Sequence, residues 1–158
     1  MQHIKITPID AANQHIYNNL IQCYECEFSS ITQKKPGHDG LFALDTRIGG
    51  NVFGFIGFID ETPAALAAIK MHDSQKYEVC EFFVVPFFRR RGIGYLFAES
   101  IWNRFPGFWE VKQIEGADYA VSFWRSVLSR FTGNCFEEDV FVDSYWGRVT
   151  RQRFEVPE

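Results

Sequence analysis

The sequence predicts an α/β (α+β) layer fold, with three helices set among six or seven strands in a mixed, mostly antiparallel sheet. Two observations carry this. Apolar residues recur at helical spacing in three separate segments, while the remaining apolar runs are short, often alternating, and bounded by turn residues. The resulting order is β-α-β-β-β-α-β-α-β-β, in which consecutive strands cluster as neighbours would in an antiparallel sheet. A chain of 158 residues that is 46% hydrophobic and 23% charged has enough apolar mass for one domain with its own core, spanning residues 1–158.

Each element has its own signal. Residues 2–8 alternate His3 and Lys5 against Ile4 and Ile6, as a half-buried strand does. Residues 11–28 place Ile16, Leu20, Tyr24 and Phe28 at spacing four, one stripe of a helix. The polar stretch 29–40, with Pro36, Gly37 and Gly40, reads as loop or broken helix. Segments 51–60 and 65–72 read as a hairpin turning around Asp60-Glu61-Thr62-Pro63, and 77–86 as a more buried strand. Helix follows over 92–105, with Leu96, Phe97, Ile101 and Phe105 inward, stopped by Pro106-Gly107. Strand 108–114 leads to helix 117–130, with Ala120, Phe123, Trp124 and Val127 inward. Segments 135–142 and 146–156 close the chain as an antiparallel pair.

Composition narrows the function. A net charge of -4 and a pI near 5.6 argue against general nucleic-acid binding and mildly favour cationic partners. The first ten residues lack the apolar core of a signal peptide, and no apolar run is long enough for a bilayer span, so a cytoplasmic protein without a membrane partner is expected. Cys23, Cys26, Cys80 and Cys135 then read as reduced thiols. Cys23-Tyr24-Glu25-Cys26 has no second ligand pair for zinc and lies inside a helix, which favours core or half-core packing over metal or redox chemistry. The four histidines show no ligand spacing, so no metal is expected.

The informative stretch is EFFVVPFFRRRGIGYLFAES, residues 81–100, where a buried strand hands over to a helix through arginines and glycines. Unpaired N–H groups and the positive dipole end of that helix form an anion site. Gly92 and Gly94 would let an anion approach the backbone, and Arg89, Arg90 and Arg91 add charge. A phosphate at residues 89–95 is one reading; a solvated basic loop with an ordinary glycine turn is the other. There is no Gly-Lys-Ser/Thr for a nucleotide P-loop and no third glycine for a dinucleotide fingerprint.

Val84-x-Pro86-x-x-Arg89-x-x-Gly92-x-Gly94 resembles the acyl-CoA signature of the GNAT N-acetyltransferase superfamily, and the element order is that superfamily's. The block Ala120-Val121-Ser122-Phe123-Trp124 resembles a bacterial branch that carries Phe-Trp where others carry Phe/Leu-Tyr. Ala117 stands where Asn usually contacts the cofactor arm, and Trp124 where Tyr often protonates the departing thiolate. The resemblance implies a splayed sheet. Backbone groups of Phe82, Phe83 and Val84 would pair with the pantetheine arm of acetyl-CoA. Arg90, Arg91, Gly92, Ile93, Gly94 and Tyr95 would hold its pyrophosphate together with Arg89, and Trp124 would wall the arm. A small-molecule or peptide primary amine would enter the splay and attack the thioester directly.

That reaction needs a base, and Glu78 and Glu81 interrupt an otherwise apolar strand. A buried carboxyl with a raised pKa would suit proton abstraction. The two lie three residues apart, on opposite faces unless a bulge intervenes. Glu110 on the next strand is a third candidate, and Tyr95, Tyr119 and Tyr145 are acid candidates by chemistry alone. Two readings stand: an acetyl-CoA-dependent N-acetyltransferase, or an acyl-CoA-binding sensor that kept the loop and lost the acid. The C-terminal strands offer an edge that could pair in a homodimer.

Overall fold

The computed structural model describes residues 2–158. In chain order the elements are β1 (Lys5–Pro8), α1 (Gln14–Thr32), β2 (Val52–Ile59), β3 (Thr62–Asp73), β4 (Lys76–Val84), a 3-10 turn over Pro86–Phe88, α2 (Ile93–Trp102), β5 (Gly107–Ile114), α3 (Asp118–Thr132), β6 (Glu137–Asp143) and β7 (Gly147–Val156). Seven strands form one sheet in the order β1-β2-β3-β4-β5-β7-β6, and every pairing is antiparallel except β4 with β5. The predicted fold class holds. Among the described residues no helix is long and apolar enough to cross a membrane.

Strand alternation assigns the two faces. Leu66 of β3, Ile56 of β2 and Phe83 of β4 pack with Tyr17 and Ile21 of α1. Ala65, Ala67 and Ile69 of β3 face the other way and join α2 and α3 in the main core, built around Phe97, Trp102, Trp109, Trp124 and Phe154. The many aromatics are spent largely here. Trp102, for example, packs against Trp109, Trp124, Phe131 and Phe154 with ring centroids 4.8–6.4 Å apart.

Two departures from simple alternation position the site. The first is a bulge at Cys80. On β3, Lys70 opposes Glu78, Ile69 opposes Val79, and Ala68 opposes Glu81, so Cys80 is the extra residue. Lys70 and Ala68 share a face, and the bulge therefore puts Glu78 and Glu81 on the same side of the sheet, the α1 side. The second departure is that β4 and β5 pair only from Lys76–Val79 to Phe108–Val111. Beyond Val79, β4 continues along β3 while β5 continues along β7, and the sheet opens into a splay.

Several boundaries differ from expectation. The first helix runs on to Thr32, with the Ser29 and Thr32 hydroxyls donating to the carbonyls of Cys26 and Phe28, and Gln33 ends it with φ 58°. Its buried centre is Tyr17, Ile21 and Glu25, one position along from the expected stripe. Cys23 and Cys26 are exposed, not core or half-core, since they fall on the solvent side of that stripe. The hairpin between β2 and β3 turns on Asp60 and Glu61 alone, both at positive φ (46° and 64°), the backbone signs of a type I′ turn.

Truncation of the central core ring gives a direct check. Trp102 is 1% exposed. Trp102→Ala is expected to lower the unfolding free energy by about 3–5 kcal/mol in chemical denaturation.

Candidate active site

The splay is filled by a cavity of about 330 Å³. Its walls include Glu81 and Glu78 from the α1 face, Phe82 from the opposite face, and both Lys112 and Gln113 of β5. Because it is lined from both faces, the cavity passes between the strands rather than lying on the sheet. Beyond Val79 the β5-facing edge of β4 has no strand partner, and its backbone groups border this opening. A larger open groove of about 810 Å³ lies elsewhere, along Lys76, Phe108, Phe136 and Glu155. It lacks the splay, and the chemistry described below is confined to the smaller cavity.

Glu81 is 6% exposed. It accepts a hydrogen bond from the Thr46 hydroxyl at 2.9 Å, with the Tyr24 hydroxyl also donating toward it. Burial raises its pKa to about 7, and the nearby charges of Glu25 and Asp45 push in the same direction against those two hydrogen bonds. Oxygen atoms of Glu25, Asp45 and Glu81 lie within 4.8 Å of one another. Lys34 reaches back into this group, with Nζ 2.7 Å from Glu25, 2.8 Å from Asp45 and 2.7 Å from the Ala43 carbonyl oxygen. It thereby pins the 33–45 loop onto α1.

Glu78 shares the cavity but not the chemistry. Burial favours its neutral form, yet hydrogen bonds and charges from His72 (2.6 Å) and Lys112 (3.0 Å) together outweigh burial and hold it below the usual carboxylate range. It does not have the raised pKa expected of a base near neutrality. Glu110 is tied to Lys112, Arg151 and Arg153 in a ladder on the same face. Of the tyrosines proposed as acids, Tyr95 donates to Glu99 under the Arg130 guanidinium, and Tyr119 and Tyr145 are 53% and 74% exposed; none lines the cavity. Cys80 does line it, with burial pushing the thiol up to about 12.

At the far end of β4 the chain turns through Pro86–Phe88 into α2. Arg90 has φ 62° and Gly92, the N-cap, has φ 76°; no side chain caps the helix. The first N–H groups of α2, at Ile93, Gly94 and Tyr95, thus point outward from an exposed turn. The two glycines serve different ends. Gly92 supplies the left-handed conformation, whereas a Cβ at Gly94 would sit 2.8 Å from the Phe123 ring, so glycine there lets α2 close on α3. Arg90 and Arg91 are exposed at this corner. Arg89 is engaged otherwise: it donates to the Val84 carbonyl (2.9 Å) and Glu27 (2.8 Å) and stacks on Phe83. Its guanidinium fastens the turn to α1.

A strand–turn–helix of this kind beside a splayed sheet has counterparts among known proteins. A model of the acetyltransferase (GNAT) family matches residues 13–105. The chain belongs to that family. No curated protein matches the sequence. Among solved structures, the fold resembles an acetyltransferase from Thermus thermophilus, with TM-score 0.68 and 10% identity over 99% of this chain and 100% of that one. The ribosomal-protein-S18-alanine N-acetyltransferase from Escherichia coli aligns at TM-score 0.65 and 13% identity over 99% and 96% of the two chains. A GNAT family acetyltransferase from Elizabethkingia anophelis with acetyl-CoA bound aligns at TM-score 0.61 and 9% identity over 97% and 98%.

Four of the residues expected from the sequence come together in one place, and the others lie elsewhere along β4 and the turn before α2. Glu78, Glu81, Phe82 and Trp124 meet at the cavity, where Trp124 packs edge-on against Phe82 with centroids 4.8 Å apart. Phe83 lies on the α1 face against Tyr24, and Val84 on the face shared with Gly94. Ala117 is buried at the start of α3 and also lines the cavity. The sequence reading missed Tyr24, Asp45 and Thr46. The one available signal was a glutamate, Glu25, one position beyond Tyr24 in the apolar stripe of α1.

The raised carboxyl has a consequence for stability. Folding lifts Glu81 from an ordinary 4.5 to about 7, so the folded chain keeps a proton that the unfolded chain has released. Stability from this group is full below about pH 4.5 and is lost as pH rises to about 7. Glu81→Gln is therefore expected to be more stable than the parent at pH 8, by up to about 3 kcal/mol, with the gain shrinking towards pH 4 in paired denaturant titrations.

Proposed function

We propose that this protein is an acetyl-CoA-dependent N-acetyltransferase that moves acetyl to a primary amine by direct attack in a ternary complex. The observation that carries this reading is a buried carboxyl, Glu81, held near neutrality at the point where β4 and β5 part. A base with a pKa near the working pH combines availability with driving force.

In this reading the pyrophosphate of acetyl-CoA rests on the open N–H groups of Ile93, Gly94 and Tyr95, with Arg90 and Arg91 supplying charge. The pantetheine arm runs along Phe82–Val84 towards the splay, with Trp124 as its wall. The unpartnered edge of β4 offers backbone N–H groups to the thioester oxygen as charge develops there. The amine enters from the α1 side and gives a proton to Glu81 directly or through one water. Its nitrogen lone pair forms the bond to the acetyl carbon, and the carbon–sulfur bond breaks to release the CoA thiolate. Trp124 has no titratable proton, so the thiolate takes, through cavity water, the second proton that the nitrogen sheds as the amide forms.

The resemblance to a structure with acetyl-CoA bound and the family match support the acyl donor. The alternative of an acyl-CoA sensor draws on Ala117 and Trp124, which replace the usual Asn and Tyr of the resemblance.

Two measurements separate these readings. Acetyl-CoA at about 100 times its dissociation constant is expected to add roughly 2.7 kcal/mol of stability, with a smaller effect from an adenosine nucleotide lacking the pantetheine arm. Steady-state acetyl transfer to a panel of amines is expected to rise with pH through about 7 and then level, following ionisation of Glu81. Glu25, Asp45, Tyr17, Tyr24 and Cys80 are the titratable groups that share its surroundings. Glu81→Gln should lower kcat/KM at pH 7 by about 10²-fold or more. Glu78→Gln should cost far less, and equal losses in the two variants would remove Glu81 from its role. Stabilisation by acetyl-CoA without transfer to any amine would favour the sensor.

A further inference from the structure

The connection between α1 and β2 brings two groups to Glu81, the Thr46 hydroxyl and the Asp45 carboxylate. Apolar burial does not hold it there. Among the described residues none from 33 to 47 belongs to the hydrophobic core, and Leu41 and Leu44 are exposed. Two polar clamps from α1 and its end hold it instead. The Gln22 side chain pairs with the backbone of Phe42 in both directions, accepting from its N–H at 2.8 Å and donating to its carbonyl at 3.0 Å. Lys34 Nζ then donates to the Ala43 carbonyl, to Asp45 and, across to α1, to Glu25, at 2.7–2.8 Å. These three acceptors match the three hydrogens of its ammonium. The Lys34 and Glu25 side chains are only 16% and 3% exposed, so solvent screens this contact less than it would a surface pair. Burial disfavours the charge on Lys34, but hydrogen bonds to Asp45 and Glu25 outweigh it and raise its pKa, which keeps the ammonium protonated near neutrality.

We infer that Lys34, seconded by Gln22, is a positioning residue for Glu81: by fixing Phe42 to Asp45 against α1 it places the Thr46 hydroxyl on the Glu81 carboxyl and keeps that carboxyl from water. The inference rests on Glu81 as the base of the reading above, yet its consequence is visible in the carboxyl itself. Release of the clamp frees the chain immediately before Thr46. Water then reaches Glu81 and Asp45 moves away, and both changes lower its pKa. The lost Thr46 hydrogen bond, and a Glu25 left without its cation, act in the opposite direction. Burial is the largest cause of the raised value, so the net change is a fall. The titratable groups around Glu81 are Tyr17, Tyr24 and Glu25 of α1, Asp45 of the loop and Cys80 of β4, with Lys112 of β5 lining the same cavity and paired to Glu78. Thr46→Val separates two of these effects, because it removes the hydroxyl donor while leaving the clamp in place.

The ¹³C shift of the Glu81 carboxyl carbon, identified by its loss in Glu81→Gln, is followed with pH in the ligand-free chain. In Lys34→Ala the midpoint is expected to fall from about 7 towards 4.5, and in Thr46→Val to rise above the parent value. Gln22→Ala should give a smaller fall, and it decides the matter should Lys34→Ala not fold. Hydrogen exchange at the Phe42 amide should quicken in both clamp variants. Lys35→Ala is the control, since exposed Lys35 removes the same charge and makes no side-chain contact of this kind; its midpoint should match the parent. An unchanged midpoint in the clamp variants, or an equal shift in Lys35→Ala, overturns the inference. The pH profile of acetyl transfer should move with the carboxyl midpoint in each variant. These titration shifts in a parent that acetylates no amine would sustain the positioning role and refute the transferase reading.

Discussion

The parting of β4 from β5 after Val79 is the constraint on which the rest of the molecule depends. Two parallel strands normally continue side by side, and here each instead follows its antiparallel neighbour. The separation leaves backbone groups of β4 without a strand partner and opens a passage through the sheet. The candidate site residues are arranged around that passage and at the end of β4. The cation-rich turn before α2 stands at the end of β4, the apolar wall of Phe82 and Trp124 lies beside it, and the carboxylates wait on the α1 side.

Charge is partitioned across the sheet with a similar logic. The face beneath α2 and α3 is filled by aromatic rings, and its buried polar side chains Gln113 and Gln152 satisfy each other at 2.7 and 2.9 Å. The α1 side carries most of the sheet's paired charges, with Glu138 and Arg125 forming a pair on the other face. On the α1 side, Glu78, Glu110, Lys112, Arg151 and Asp139 form a ladder of mutually paired charges. Glu81 sits next to that ladder yet outside it, against two hydroxyls and two further carboxylates. Burial and like charge win over hydrogen bonding at this position, which is why two glutamates of one strand end in opposite protonation regimes.

Much of this was legible in the sequence, for identifiable reasons. Apolar periodicity located each strand and helix, and the turn between β4 and α2 announced itself through Pro86, Gly92 and Gly94. The interruption of an apolar strand by Glu78 and Glu81 marked both carboxylates. What the sequence did not display was the bulge at Cys80, since no glycine or proline signals it, and so the shared face of the two glutamates stayed open. Arg89 read as phosphate-facing because the motif places it with its neighbours, but the acceptor within reach of its side chain is Glu27, 62 residues earlier in the chain. Tyr24, Asp45 and Thr46 meet Glu81 only through tertiary folding of α1 and the loop after it, at sequence separations that periodicity cannot see.

The bulge at Cys80 also bears on how such a chain can change over generations. Side chains on a strand alternate, so the count of residues between Lys76 and Val84 decides which of them meets α1 and which meets α3. Replacing a residue alters one contact, whereas inserting or removing one exchanges the two faces for everything beyond it. The single extra residue already present holds the Glu81 carboxyl on the α1 side. β4 is consequently the segment in which length is least negotiable, and divergence there must proceed by substitution, leaving insertions to the long connection between α1 and β2.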